Sequence, residues 1–438
     1  MFRYYFLLGA RSLRRNPMLT ALMVLTLAVG VAASISTLAI LHAMSANPLG
    51  EKSARVFVPV FDNGPLDQYN PADRDQVDTQ LSYRDSANLL ASTMGVRRTA
   101  LYGISLPIEA LRPDLPVNVA EGIAPTRDFF TMFDVPFRHG QAWSEADDQR
   151  GADVAVLSAA MAETLFGTAN PVGKRIRMVG ASFQIVGVLA PWRPLPKFYR
   201  LVGGPGPFGQ AEDVMIPFAT AIRHEIAHAG GMRCTVRPEP GWQGILDSEC
   251  TWMQVYIETR SASDRADLQT LLDNYASGQR KLRRMLRAAP NDLYDISQWL
   301  VRQHVVDNDS RLSAWLAFGF LLLCLVNTIG LLLAKFSARA AEVGVRRALG
   351  ASRRAIFQQF LTEAAVVGVV GGVAGVLLAL GALRMIGMQS DQAQATARMD
   401  WQMLLLAFAM SLAAALLAGL LPTWRACQVT PAIQLTSQ

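Results

Sequence analysis

Four stretches of this chain carry no charged residue over a length that can cross a bilayer: Met18–Leu41, Leu312–Ala334, Ala364–Leu383 and Trp401–Trp424. A hydrocarbon core of ~30 Å, at ~1.5 Å rise per residue, asks for about 20 such residues. One run of this kind could be a buried core helix, but four in 438 residues are not explained that way. Small residues near Ala43–Ala46 have the look of a signal cleavage site. The first run nevertheless far exceeds the roughly 7–15 apolar residues of a cleaved signal, so it is read as an anchor. The expected spans are 18–43, 312–334, 364–383 and 401–424.

Charge orients them. Of 41 Lys/Arg and 35 Asp/Glu, 28 and 31 fall within 51–311. The middle of the chain is therefore slightly acidic, and the excess positive charge sits beside the spans. Nucleic-acid binding would want a basic patch on a folded domain, so that class is disfavoured. Lys and Arg stay on the cytoplasmic side. The N-terminal segment 1–17 carries Arg3, Arg11, Arg14 and Arg15 with no acid. The link 335–363 carries Lys335, Arg339, Arg346, Arg347, Arg353 and Arg354 against Glu342, before Gln358-Gln359. The loop 384–400 is balanced, with Arg384 and Arg398 against Asp391 and Asp400, and the tail 425–438 adds Arg425. Four crossings then put both termini and the link inside, with the region between the first two spans and the short loop outside. Segment 1–17 reads as an amphipathic helix on the inner lipid surface, through Phe2, Tyr5, Phe6 and Leu13.

After Ala54 the pattern changes. Val56–Val60, Val96–Ile108, Val117–Ile123, Val154–Leu157 and Met253–Glu258 read as strands, and Arg175–Val179 with Phe183–Leu189 as a hairpin across Gly180-Ala181-Ser182. Ser82–Ser92 reads as a helix capped by Ser82, Thr126–Phe133 as one capped by Thr126, and Ser158–Phe166 as one ended by Gly167. Asp264–Met285 is a further helix. The mixture lacks a βαβ rhythm. The expected fold is a membrane protein of four transmembrane α-helices, with a large α+β extracytoplasmic domain, 44–298, inserted between helices 1 and 2. Residues 298–312 contain no Pro or Gly, so a stalk helix at 299–311 is expected to run into the second span as a rigid rod. Residues 191–212, centred on Gly203-Gly204-Pro205-Gly206-Pro207, read as a loop, either a mobile flap or a plain connector.

Of four cysteines, Cys234 and Cys250 lie on the oxidising side. They form either a disulfide, contributing about 3 kcal/mol in the chain-entropy model, or two buried thiols. Cys324 lies in a span and Cys427 in the reducing compartment, so neither is expected to pair. His224-Glu225-Ile226-Ala227-His228 is H-E-x-x-H. On a helix, both imidazoles could reach one Zn²⁺ with Glu225 as base, and Glu249 is a nearby acid for the third ligand. Gly230-Gly231 ends that helix early, and a short polar helix without metal is the plainer reading. No G-x-x-x-x-G-K-[ST] phosphate loop occurs, and Gly173-Lys174-Arg175 lacks both the upstream glycine and the following hydroxyl. No span holds a charge at its centre, which leaves an ion or proton relay without residues. Gly368, Gly371, Gly372, Gly375 and Gly381 are spaced for close helix packing.

The run Glu342-Val343-Gly344-Val345-Arg346-Arg347-Ala348-Leu349-Gly350-Ala351-Ser352-Arg353-Arg354, followed by Gln359-Phe360-Leu361-Thr362-Glu363-Ala364, resembles the signature of MacB/FtsX-type ABC transporter permeases. Pro422-Thr423-Trp424-Arg425-Ala426 through Pro431-Ala432 is similar to their C-terminal pattern. Leu81–Asp85, Phe129–Val135, Asp153–Ser158, Leu165–Gly167 with Pro171–Lys174, and Val186–Leu189 resemble the MacB-type periplasmic core domain. The insertion at 222–250 departs from that pattern. The resemblance implies a permease subunit without a fused ATPase domain, binding no cofactor itself, with ATP and Mg on a partner ATPase. The link 335–363 becomes the coupling helix region, with Glu342, Gly344, Arg346, Arg347, Ala348, Gly350 and Ala351 at the ATPase contact. Export or extraction of cargo follows, by motion passed to the periplasmic domain and not by conduction. The implied partners are an ABC ATPase subunit, a second copy or a related permease as dimer, a periplasmic adaptor and membrane lipid, with no nucleic acid. The implied site is the cell inner membrane. Two alternatives stand beside it: an FtsX-like regulator of a cell-wall hydrolase, whose outer domain is much smaller, and the H-E-x-x-H metalloprotease.

Overall fold

A computed structural model describes residues 17–427, apart from 62–63, 65–69, 71–78, 110–117, 168, 288–290, 307, 390–392 and 394–400. The amphipathic segment expected before the first span lies outside the described residues, as do most of the 384–400 loop and the tail. The chain divides into a helical unit, Met1–Ser45 with Val306–Gln438, and an inserted unit, Ala46–Val305. The helical unit opens with α1 (Pro17–Met44).

The inserted unit is built on one sheet. Its strands are β1 (Val56–Val60), β2 (Leu81–Ser82), β3 (Arg97–Ile108), β4 (Asn118–Pro125), β5 (Phe137–Gly140), β6 (Val154–Leu157), β7 (Arg175–Met178), β8 (Ala181–Leu189), β9 (Val214–Met215), β10 (Thr251–Glu258) and β11 (Asp292–Asp295). The order is β11-β1-β10-β3-β4-β9-β6-β8-β5, with β2 on β10 and β7 bridging β3 and β8. Pairing is antiparallel except at β4–β9 and β6–β8. Helices α2 (Tyr83–Ala91), α3 (Asp128–Met132), α4 (Glu145–Arg150), α5 (Ala159–Phe166), α6 (Phe218–Arg223), α7 (Trp242–Asp247), α8 (Arg265–Lys281) and α9 (Ile296–Arg302) surround it.

Both faces of the sheet are buried, and the period of two sorts the side chains between them. Val56, Val58 and Val60 of β1 join one cluster with Phe129, Trp143 and Trp299, while Phe57 joins the other. In β6, Val154 and Val156 go one way and Ala155 and Leu157 the other. This explains why the central strands read as unbroken apolar runs. The cap at Ser82 is as expected, and Ser158 caps its helix in the same way: each side chain accepts from the backbone N–H three residues on.

Several local readings are corrected. Thr126 caps nothing; its hydroxyl donates to Thr99 Oγ1 at 3.0 Å, and α3 starts after Arg127 without a side-chain cap. The β7–β8 hairpin turns at Val179-Gly180, both with positive φ (46° and 74°), the two-residue turn whose twist suits a hairpin. The helix expected over Asp264–Met285 stops at Lys281.

The expected rod at 298–312 is broken as well. Helix α9 ends at Arg302, His304 takes φ 50°, and the N–H of Val305 donates back to Leu300 C=O at 3.1 Å. That is a left-handed C-terminal cap made without glycine. The same closure ends three other helices. Asp134, Glu225 and Arg283 have positive φ, and Val135, Ile226 and Arg284 donate back to Phe130, Ala221 and Gln279. A non-glycine residue in this conformation costs ~1–2 kcal/mol. Burying the Val or Ile that follows returns about 1.5–3 kcal/mol, which decides the outcome at Val135, Ile226 and Val305, all buried.

The 191–212 segment is no flap. Lys197, Phe198, Tyr199, Arg200 and Glu212 are all buried. Lys197 Nζ lies 2.9 Å from Glu212 Oε1, the Tyr199 hydroxyl donates to Glu212 Oε2, and Arg200 Nη1 is 3.9 Å from Glu212 Oε1. Burial lowers the Lys197 pKa, against the raising effect of Glu212. Gly103 leaves room for this arginine, since a Cβ there would fall 2.2 Å from Arg200 Nη2.

Cys234 and Cys250 are joined by a disulfide closing a sequence separation of 16. Loop closure of that length contributes about 3 kcal/mol in the chain-entropy model. A Cys234→Ser, Cys250→Ser double variant is expected to lose that much in denaturant unfolding of the full chain in detergent, and reductant is expected to add nothing further.

The helical unit resumes with α10 (Asn308–Ser337), α11 (Ala340–Ala348), α12 (Arg353–Gly387) and α13 (Trp401–Cys427). Among the described residues three helices, α1, α10 and α12, are long and apolar enough to cross a membrane; α13 has 27 residues and carries the apolar stretch Phe408–Leu420. Glycines set the packing. A Cβ at Gly371 or Gly375 of α12 would come within 2.9 Å of Leu27 or Val31 of α1, and one at Gly30 within 2.9 Å of Cys324 in α10. Gly381, expected to pack likewise, faces open space. With no side chain interposed the backbones approach closely, the usual basis of helix association in lipid.

Candidate coupling site

Helix α11 has nine residues, too few to be stable alone. Three features hold it. Val343 is buried in a cluster with Met23, Leu332, Phe336, Ile356 and Phe360. Arg346 donates to Glu342 one turn back at 2.6 Å and to Gln359 Oε1 of α12 at 3.0 Å. Gly350, at φ 98°, closes the C-terminus: its N–H donates to Arg347 C=O and that of Ala351 to Arg346 C=O. The Ser352 side chain then caps α12 by accepting from Ala355 N–H. The G-A-S run is thus the chemistry of one tight helix–helix turn.

Of the seven residues expected at a coupling contact, Gly344 and Arg347 are half-buried, Ala351 belongs to the closing turn, and the other four separate into two groups. Glu342, Arg346 and Gly350 serve the geometry of α11 itself. Ala348 is exposed, and beside it stand two apolar residues of the same run that were not among the expected contacts: Val345 is 59% and Leu349 83% exposed. They are four apart, on one face of the helix. Arg353 and Arg354 are also exposed, in a first turn of α12 that has no acid. Cations there oppose the helix dipole, a local cost that points to a use elsewhere.

Lys335 and Arg339 do not belong to the exposed basic face. Both lie against Glu363 of α12: Lys335 makes an ion pair with it, and Arg339 Nη1 is 3.3 and 3.4 Å from its two carboxylate oxygens. The Lys335 and Glu363 side chains are 0% and 1% exposed. Their sequence signal is that Lys335 directly follows one uncharged run and Glu363 directly precedes the next.

H-E-x-x-H is not on a helix. Helix α6 ends at Arg223, His224 is its C-cap and Glu225 takes the left-handed conformation. The two imidazoles are thereby turned to different surroundings. His224 Nε2 is 2.7 Å from Asp153 Oδ1, whereas the His228 ring packs 5.6 Å from that of Trp252, where burial holds its pKa below the usual imidazole value. Glu249, the proposed third ligand, takes Arg284 in a two-point contact at 2.8 and 3.0 Å. Among the described residues no group of three His, Cys, Asp or Glu side chains could hold a metal. The metalloprotease alternative is withdrawn on this geometry.

Residues 20–275 match the family model of the MacB-like periplasmic core domain, and residues 314–431 that of the FtsX-like permease C-terminal region. The macrolide export ATP-binding/permease protein MacB of Bdellovibrio bacteriovorus is 29% identical over 246 residues, which are 55% of this chain and 33% of that protein. The pyoverdine export ATP-binding/permease protein PvdT of Pseudomonas aeruginosa is 28% identical over 316 residues, 71% of this chain and 41% of that protein. The chain thus spans well under half the length of these curated relatives. The periplasmic region of MacB from Actinobacillus actinomycetemcomitans aligns with 60% of this chain and 98% of its own, at 13% identity and a TM-score of 0.36.

Proposed function

This chain belongs to the MacB/FtsX family of ABC transporter permeases, and from that premise we propose that it is the membrane subunit through which a separate ATPase drives movement in a periplasmic domain. In this reading four helices, α13 included, cross the inner membrane with both termini inside, and the inserted unit 46–305 is periplasmic. Helix α11 is the docking element of the ATPase, which holds ATP and Mg. A second copy or a related permease completes the membrane pair, and a periplasmic adaptor receives the motion. The cargo is exported or extracted on the outer side; the relatives named for macrolide and pyoverdine export mark the kind of molecule to try first.

The observation that carries the reading is the exposed Val345–Leu349 face on a short helix fastened to a spanning one. Apolar anchors ringed by cations are what a groove on a partner accepts. The tagged full chain, purified from its native membranes, is expected to bring ATP hydrolysis with it. Leu349→Asp is expected to lower that activity by roughly tenfold or more, the loss of one interface anchor. Undiminished ATPase recovery with Leu349→Asp would remove α11 from the contact.

A further inference from the structure

Two tie points fix α11 along the first turns of α12. At its start, Arg339, the N-cap residue of α11, reaches Glu363 at 3.3 Å. Towards its end, Arg346 reaches Gln359 at 3.0 Å. Gln359 and Glu363 are one turn apart on the same face of α12. Between the ties, Val343 is buried with Phe336 and Phe360, whose rings lie 4.3 Å apart. Lys335, from the last turn of α10, closes on the same Glu363 carboxylate. Three helices therefore meet at one fully buried acid.

We propose that Glu363 is a positioning residue that makes α11 a rigid extension of α12, so that a push on α11 moves α12 as one body. The inference rests on reading α11 as the docking element. Without the carboxylate, buried Lys335 faces Arg339 with no anion from α12, and breaking a buried ion cluster on one side leaves an uncompensated charge. Water then enters, and α11 swings about the turns at 338–339 and 349–350. With it, the motion is delivered to α12, whose Gly371 and Gly375 lie directly on α1. Helix α1 in turn leads in sequence into the inserted unit. The route runs from α11 through α12 to α1.

Spin labels at Leu349→Cys and Val373→Cys, both exposed positions of the helical unit, read this directly. The full chain is used in lipid nanodiscs, with Cys324→Ala and Cys427→Ser. The labels lie about 30 Å apart, from some 20 helical residues at ~1.5 Å rise. The wild-type acid is expected to give one narrow distance peak. Glu363→Gln is expected to broaden it at least about twofold, and Arg339→Gln, which leaves the Lys335–Glu363 pair, by less. Exchanging the charges, Lys335→Glu with Glu363→Lys, is expected to narrow it again, which a merely structural defect would not allow. A width unchanged by Glu363→Gln, or a charge exchange that stays as broad as Glu363→Gln, would overturn the proposal. The measurement needs no ATPase, so the clamp can fail while the docking reading stands, and the reverse.

Discussion

Arg284→Ala is expected to cost the full chain about 3–5 kcal/mol of stability, the loss typical of a buried ion pair stripped of one partner. Asp85 is fully buried. Its carboxylate accepts from Ser82 Oγ and Tyr275 Oη, each at 2.7 Å, and its cation is Arg284 at 3.2 Å. Burial first, then the Asp85 charge, pushes the Tyr275 pKa upward. Removing the guanidinium takes the 3.2 Å cation from the buried Asp85 carboxylate and the two-point contact from Glu249, which keeps Arg84 at 3.8 Å. Asp85→Asn in the Arg284→Ala background is expected to recover part of the loss, because the buried acid that Arg284 faced is then replaced by a neutral amide. Denaturant unfolding in detergent measures both. A loss below about 1 kcal/mol, the size of an exposed pair, would mean that water reaches Asp85.

Glu212→Ala is expected to cost a similar ~3–5 kcal/mol, by the reverse imbalance. It takes the carboxylate from buried Lys197, leaves buried Arg200 with Glu121 at 4.0 Å as its carboxylate, and takes away the acceptor of the Tyr199 hydroxyl. The segment 191–212 should then become cleavable by protease while the disulfide and the far edge of the sheet persist. Resistance equal to that of the wild type would mean that Glu212 does not hold this segment in place. Glu212→Gln keeps the acceptor and loses the charge, so it should fall between the two.

Much of the architecture was legible because it follows from local rules. Uncharged runs of spanning length became α1, α10 and α12, since their length and apolarity alone meet the bilayer's demand. Apolar runs between turn signals became β1, β3, β6 and β10, since both faces of the sheet are covered. Ser82 and Ser158 capped the helices they precede, because a hydroxyl three residues before an unpaired N–H needs no tertiary help. The basic link was legible as a link and illegible in detail. Charge counting treats Lys335 and Arg347 alike, although one is buried against Glu363 and the other lies on α11, half-buried.

By itself, then, the sequence determined three apolar helices of spanning length, the inserted α+β unit and its main strands, and the family to which the chain belongs. Tertiary structure alone decided where helices stop without glycine, whether a polar Pro/Gly segment is surface or core, and which cations are spent inside the fold. The reason is the same in each case. The costs are local and visible: a left-handed residue at His304, a desolvated lysine at Lys197, a carboxylate at Glu363. The compensation comes from residues distant in sequence or from burial, as with Val305 in the core, Glu212 beside Lys197, and Lys335 and Arg339 around Glu363. No window of neighbouring residues contains both sides of that balance.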